Sequence, residues 1–273
     1  VKVFISADME GVTGVVSWDH VSRGNPEYER HRLTMTLEVN AAIEGALDGG
    51  ATEVTVNDSH DTMKNLLLEE IHPEARVITG SPKPSSMCQG LDESFGAVFL
   101  TGCHARAGTP GVLSHTYTQD VAELRFNGMV FGEIAMNAAF AGAVGVPVAL
   151  VVGDSAAAEE AIGALGHLGP VQALAVKRHV TRFSADHTHP SRSRQLIREA
   201  ARRAVLGASR ISPFLVEGPV GVEIRFINPG LADAASLMPG VTRLDALTVA
   251  CQALDCLTAL RAARAMIALA SRN

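Results

Sequence analysis

Three short segments, Asp8-Met9-Glu10, Asn57-Asp58-Ser59-His60 and His104-Ala105-Arg106, put carboxylates and imidazoles directly after apolar runs. Carboxylate oxygen and imidazole nitrogen are the usual ligands of zinc-like divalent ions, so the combination points to metal-assisted chemistry. Asp8 and Glu10 are two positions apart, and an extended backbone there sends both side chains to one face. Two crowded carboxylates repel and one tends to protonate, whereas a divalent ion flanked by His60 and His104 keeps both ionised. Glu133 opens the Ala-rich stretch 132–140, which is expected to be a helix. An acid there has two readings: it complements the helix N-terminus, or it is a further ligand, because helices that follow a strand often begin beside a site.

The apolar runs 1–6, 53–56 and 96–101 read as buried β-strands, with helix-like sequence between the first two. Polar residues just past such runs are site candidates, because an open α/β sheet binds ligands outside the carboxyl ends of its parallel strands. Alternation continues through a strand at 146–152, a helix-prone stretch at 155–161 and a strand at 171–176. The expected fold is therefore α/β, a mostly parallel sheet covered by helices. Residues 1–178 form the expected metal-binding domain. The charged, Ser-rich stretch 177–194 marks the boundary to a smaller α+β unit, 179–273, which is either appended or inserted. Its expected elements are an Arg-rich helix at 190–206, a strand at 220–227, a turn at 228–230 and a long helix at 246–270.

Several motifs together resemble one known family. Ser6-Ala7-Asp8-Met9-Glu10-Gly11-Val12-Thr13-Gly14, Val56-Asn57-Asp58-Ser59-His60, Thr101-Gly102-Cys103-His104-Ala105-Arg106, Thr109-Pro110-Gly111-Val112-Leu113-Ser114-His115 and Gly132-Glu133 are similar to the D-aminopeptidase family of zinc metallopeptidases. These are self-compartmentalising proteins of dipeptide-transport operons. The resemblance implies two zinc ions held by Asp8, Glu10, His60, His104 and Glu133, with His115 as the catalytic histidine. It also implies short peptides with an N-terminal D-amino acid, such as D-alanyl-D-alanine, as substrates. An assembly of ten subunits in two stacked five-membered rings, with the sites facing an inner chamber, follows from the same resemblance.

Simple coordination chemistry agrees with that ligand set. Five ligands exceed what one tetrahedral zinc takes, so a carboxylate shared between two ions, Asp8 by its central place, would satisfy both. Two zinc ions against three carboxylates leave about one positive charge, which favours a deprotonated water and a polarised carbonyl. The expected reaction is amide hydrolysis by metal-bound hydroxide, with His115 transferring a proton or donating a hydrogen bond.

Other groups have blander readings. Asp58 is either an acceptor for a metal-bound His60 or a turn residue. Cys103 reads as a small core residue. Asp186-His187-Thr188-His189 looks like a second metal cluster, but it precedes Pro190 in a polar stretch with no strand to bring further ligands. The remaining histidines, His20, His31, His72, His167 and His179, have no pattern of partners and read as surface or structural. Gly11 and Gly14 lack the spacing of nucleotide loops and are expected to let backbone pass close to the metal site, while the turn at 108–111 aims His115.

Composition narrows the alternatives. A 47% hydrophobic content in 273 residues supports a folded core. Aromatics at 4% and a net charge of −6 argue against a nucleic-acid partner. Four cysteines without a CxxC pair, and too short an apolar segment at the start for a signal peptide, lead to the expectation of a cytoplasmic protein. The stretch 246–270 is apolar, yet Asp255, Arg261 and Arg264 interrupt it, so no membrane span is expected. Two alternatives to the peptidase are a haloacid-dehalogenase-like phosphatase, suggested by an apolar strand followed by Asp-x-Glu-Gly, and a non-catalytic dipeptide-binding protein. The first needs oxygen ligands for magnesium and a nucleophilic Asp, which the imidazoles do not suit.

Overall fold

A computed structural model describes residues 1–271. The strands are β1 (Lys2–Ala7), β2 (Glu53–Asp58), β3 (Ala75–Ile78), β4 (Ala97–Cys103), β5 (Val121–Phe126), β6 (Met129–Val130), β7 (Val148–Asp154), β8 (Gln172–Thr181), β9 (Ser184–His187), β10 (Val220–Phe226), β11 (Thr242–Arg243) and β12 (Thr248–Ala253). The helices are α1 (Trp18–Val21), α2 (Tyr28–Asp48), α3 (Glu133–Ala143), α4 (Ser155–Leu165), α5 (Pro190–Gly207), α6 (Pro229–Ala235) and α7 (Cys256–Ala270).

Strands in the order β3-β2-β1-β4-β7-β8-β9 make the first sheet, parallel except for β9. The central strands β1, β4 and β7 are buried along nearly their whole length, as strands covered on both faces must be. α2 turns Met35, Val39, Ala42, Ile43 and Ala46 inward at helical spacing. It crosses α5 closely at Gly45, where a Cβ would collide with the Arg198 carbonyl. From β1 the chain proceeds to β2 on one side, and β4 adds on the other. That reversal opens a crevice at the carboxyl ends of β1, β2 and β4, where such folds bind ligands.

A second, antiparallel sheet has the order β11-β12-β10-β5-β6, with α6 and α7 packed against it. Residue 178 falls inside β8, and the second sheet draws strands from both 121–130 and 220–253, that is, from both sides of the expected boundary. The stretch read as a Ser-rich boundary is a β8–β9 hairpin leading into α5. The expected helix at 246–270 is corrected: its first third is β12, and α7 starts only at Cys256. Val249, Cys251 and Ala253 alternate inward along β12, and the Asp255 side chain accepts from Thr258 N to begin the helix. Likewise the turn at 228–230 opens α6, with the Asn228 side chain as its cap. No helix among the described residues is long and apolar enough to cross a membrane.

Candidate metal centre

Asp8 follows β1, His60 follows β2 and His104 follows β4, so three adjacent parallel strands deliver one side chain each to the crevice. The backbone at 8–10 bends rather than staying extended, yet Asp8 and Glu10 both line the same cavity. The bend depends on Gly11, where a Cβ would strike the Cys103 carbonyl. Glu133 enters from the first turn of α3, and its Oε1 accepts from Tyr117 N at 2.7 Å. His115 arrives on the loop after β4, anchored where Asp154 accepts from Val112 N at 2.7 Å. All six residues line one cavity of about 580 Å³.

Each imidazole points one nitrogen at a backbone carbonyl and the other at carboxylates. His60 Nε2 lies 2.9 Å from Val21 O, His104 Nδ1 3.0 Å from Ala105 O, and His115 Nδ1 2.8 Å from Leu113 O. A carbonyl only accepts, so these outer nitrogens carry the hydrogen and a neutral ring keeps its lone pair on the inner nitrogen. The inner His60 Nδ1 is 3.3 Å from Asp8 Oδ1 and 2.9 Å from Glu10 Oε2. His104 Nε2 is 3.5 Å from Asp8 Oδ2 and 3.3 Å from Glu133 Oε1, and His115 Nε2 is 3.9 Å from Glu10 Oε1.

Lone pairs facing carboxylates at these distances require positive charge between them. Burial and the neighbouring Glu10 push the Asp8 carboxyl up to about 7. Burial opposes charge on His60 and His104 too, but Glu10 and Asp8 around the first, and Glu133 beside the second, raise both well above the ordinary imidazole range. His115 goes the other way: burial and the adjacent His104 lower it. The two rings stack at 4.0 Å. A divalent ion would meet the same demand without protons. Asp8, Glu10 and His104 offer donor atoms within 4.8 Å of one another, as do His104, His115 and Glu133. Glu10 Oε2, although close to His60, makes no hydrogen bond among the described residues, an orphaned buried oxygen that a cation would satisfy. The donor set therefore fits a zinc-like ion.

The comparisons with known proteins agree with this architecture. A family model for D-aminopeptidase, peptidase M55, matches residues 1–265. The chain belongs to that D-aminopeptidase family. A D-aminopeptidase of Bacillus subtilis (strain 168) is 41% identical over 274 residues, spanning 100% of this chain and 98% of the relative. The solved structure of the Zn-dependent D-aminopeptidase DppA from Bacillus subtilis, a self-compartmentalizing protease, superposes with a TM-score of 0.96 at 40% identity, covering 100% of this chain and 99% of that one. Family membership disfavours both the phosphatase and the non-catalytic binding protein.

Asp58 does not touch the His60 ring. Its carboxylate accepts from Asn65 N, Asn65 Nδ2 and Leu66 N, and Asn65 Nδ2 also donates to His60 O, so Asp58 shapes the loop that carries His60. The 186–189 segment forms no metal-binding group among the described residues: Asp186 pairs with Arg178, His187 accepts from Gly14 N, and His189 caps α5. Cys103 is a buried free thiol, as are the other three cysteines.

Four supporting residues escaped the sequence reading. Trp18 sets its edge against His115 at 5.4 Å. Val21 supplies the carbonyl for His60, and a backbone group leaves no mark on sequence. Tyr117 gives its N–H to Glu133. Lys177, fully buried, donates to the carbonyls of Glu10, Val12 and Val15 and so holds the Glu10 loop. Burial lowers its ammonium to about 8. Its signal was present: a lysine directly after the apolar run of β8 sits where a buried strand continues.

Proposed function

We propose that this chain is a zinc-dependent aminopeptidase that removes the first residue of short peptides beginning with a D-amino acid, D-alanyl-D-alanine among them. The observation that carries the reading is the set of three imidazoles, each tied by one nitrogen to a carbonyl and turned by the other toward buried carboxylates. Asp8, Glu10, His60, His104 and Glu133 would hold two zinc ions. The two oxygens of Asp8 face different imidazoles, which supports Asp8 as the shared ligand. Bound zinc supplies a Lewis acid that polarises the scissile carbonyl and lowers the pKa of water.

The protein's own groups do the rest. Val21 and Ala105 fix which nitrogens of His60 and His104 face inward, and Tyr117 N orients Glu133. His115, with Nδ1 committed to Leu113 and Nε2 open to the cavity, carries the proton from the attacking water toward the leaving amine. Trp18 packs against that ring. The name of the Bacillus subtilis relative supports a self-compartmentalising assembly, for which we propose two stacked five-membered rings. Four free cysteines support a cytoplasmic location.

The test is release of free alanine from D-alanyl-D-alanine and L-alanyl-L-alanine by protein stripped with chelator and reloaded with zinc, with bound metal counted in parallel. Zinc-dependent cleavage of the D-peptide alone, at two ions per chain, is expected. Cleavage of both peptides would remove the stereospecificity, and cleavage of neither would remove the activity.

A further inference from the structure

The cavity that holds the candidate metal centre has a second wall, made by α7. Arg264, Ile267 and Ala268 lie on one face of that helix and, with its C-cap Ser271, line the same space as His60 and His115. Among the described residues Arg264 is the one Lys or Arg in a lining that includes the acids Asp8, Glu10, Asp61 and Glu133. A permanent cation in an otherwise acidic cavity needs a reason.

Arg264 is held without being neutralised. Its guanidinium donates from Nη1 to Pro84 O at 2.9 Å and from Nη2 to Lys83 O at 3.3 Å, and carbonyls bear no net charge. No carboxylate among the described residues lies within 4.0 Å of it, although the chain's other helix-borne pairs, such as Arg198 with Glu44 and Asp48, show that surface arginines here do find acids. Of the five N–H donors of a guanidinium, three have no partner among the described residues. A planar fork anchored on one side and open on the other suits a carboxylate, which it can take in two parallel hydrogen bonds. Tyr117, whose N–H goes to Glu133, lines the same cavity as Arg264, so the Arg264 wall and the metal-facing residues open onto one space.

Resting on the peptidase reading above, we infer that Arg264 receives the free C-terminal carboxylate of a short peptide whose scissile bond lies at the metal centre. The substrate is thus recognised as a zwitterion, and Arg264 sets its length. A dipeptide places its carboxylate one residue past the cleaved bond. Capping that carboxylate as an amide removes the charge and one acceptor oxygen while leaving the cleaved bond and the amino end as they were.

The experiment compares D-alanyl-D-alanine with D-alanyl-D-alaninamide as substrates of the zinc-loaded protein, reading release of the first D-alanine. The wild type is expected to favour the free acid by roughly 10–100-fold in kcat/KM, the scale of a charge-assisted pair. In Arg264→Met the acid-to-amide ratio should fall towards one, mostly through a raised KM for the acid, with zinc content unchanged. Arg264→Lys should restore part of the ratio, since it keeps charge without the fork. A wild type that cleaves both substrates equally overturns the inference while leaving the peptidase reading intact. So does an Arg264→Met variant that loses acid and amide cleavage in proportion, which marks a structural role. A wild type that cleaves neither overturns both together.

Discussion

Two regions of this molecule are rich in histidine and acid, and they behave in opposite ways. The segment 186–189 packs an aspartate and two histidines into four residues, yet each is satisfied by a near neighbour: Asp186 by Arg178, His187 by Gly14 N and His189 by Ser191. The candidate metal centre gathers six residues from positions 8 to 133, all but His115 buried, mutually repelling in part, and left with an orphaned oxygen on Glu10. Density in sequence therefore did not make a site. Convergence of strand ends did, because parallel strands aim successive loops at one crevice.

The sharpest way to break the contrast is to remove candidate ligands from each region. Glu10→Gln should lower activity about 10³-fold or more and reduce bound zinc, because it removes a buried carboxylate from the proposed donor set. The double variant His187→Ala and His189→Ala should retain its metal and stay within about twofold in rate, since exposed histidines away from the chemistry contribute little. Equal losses in the two proteins, by metal analysis and initial rates, would erase the distinction.

His115 tests the boundary inside the cavity itself. His115→Ala is expected to lower kcat by about 10²–10⁴ with zinc content unchanged, the signature of a proton carrier. A ring nitrogen of His115 lies within ligand spacing of His104 and Glu133, so loss of one zinc along with activity would reassign it as a ligand.

The adjacent cations of β8 give a smaller, structural version of the comparison. Lys177 is buried under three carbonyls, whereas Arg178 is exposed with Asp186 as its partner. Lys177→Met leaves buried acceptors unpaired and should cost about 3 kcal/mol, read as a fall in Tm of roughly 6–12 °C. Arg178→Ala should move Tm by about 1 °C or less, because exposed ion pairs are worth little. Similar shifts from both would mean that the three carbonyls find other partners. A modest effect is expected at the cap: His189→Ala should cost about 0.5–1 kcal/mol in a denaturant titration, with metal content untouched.

Much of this could be read in the chain before any coordinates. The apolar runs located β1, β2 and β4 to within a few residues, and the Ala-rich stretch after Gly132 located α3, because burial on both faces and helical spacing are local properties of sequence. The stretch 246–270 misled for the same reason. Short apolar residues serve a buried strand or a helix equally, and only the pairing of β12 with β10 settles which.

The sequence by itself determined which residue types stand at the strand ends, and hence that carboxylates and imidazoles would meet near a sheet edge. The tertiary structure decided which nitrogen of each imidazole turns inward, through the carbonyls of Val21, Ala105 and Leu113. It also decided that Lys177 is buried beneath the Glu10 loop, and that Arg264, 131 positions beyond Glu133 in the chain, lines the same cavity. Side-chain chemistry and strand periodicity are short-range, so sequence carries them. Tautomer, desolvation and the meeting of distant walls depend on packing between elements far apart in the chain, and only the folded arrangement fixes those.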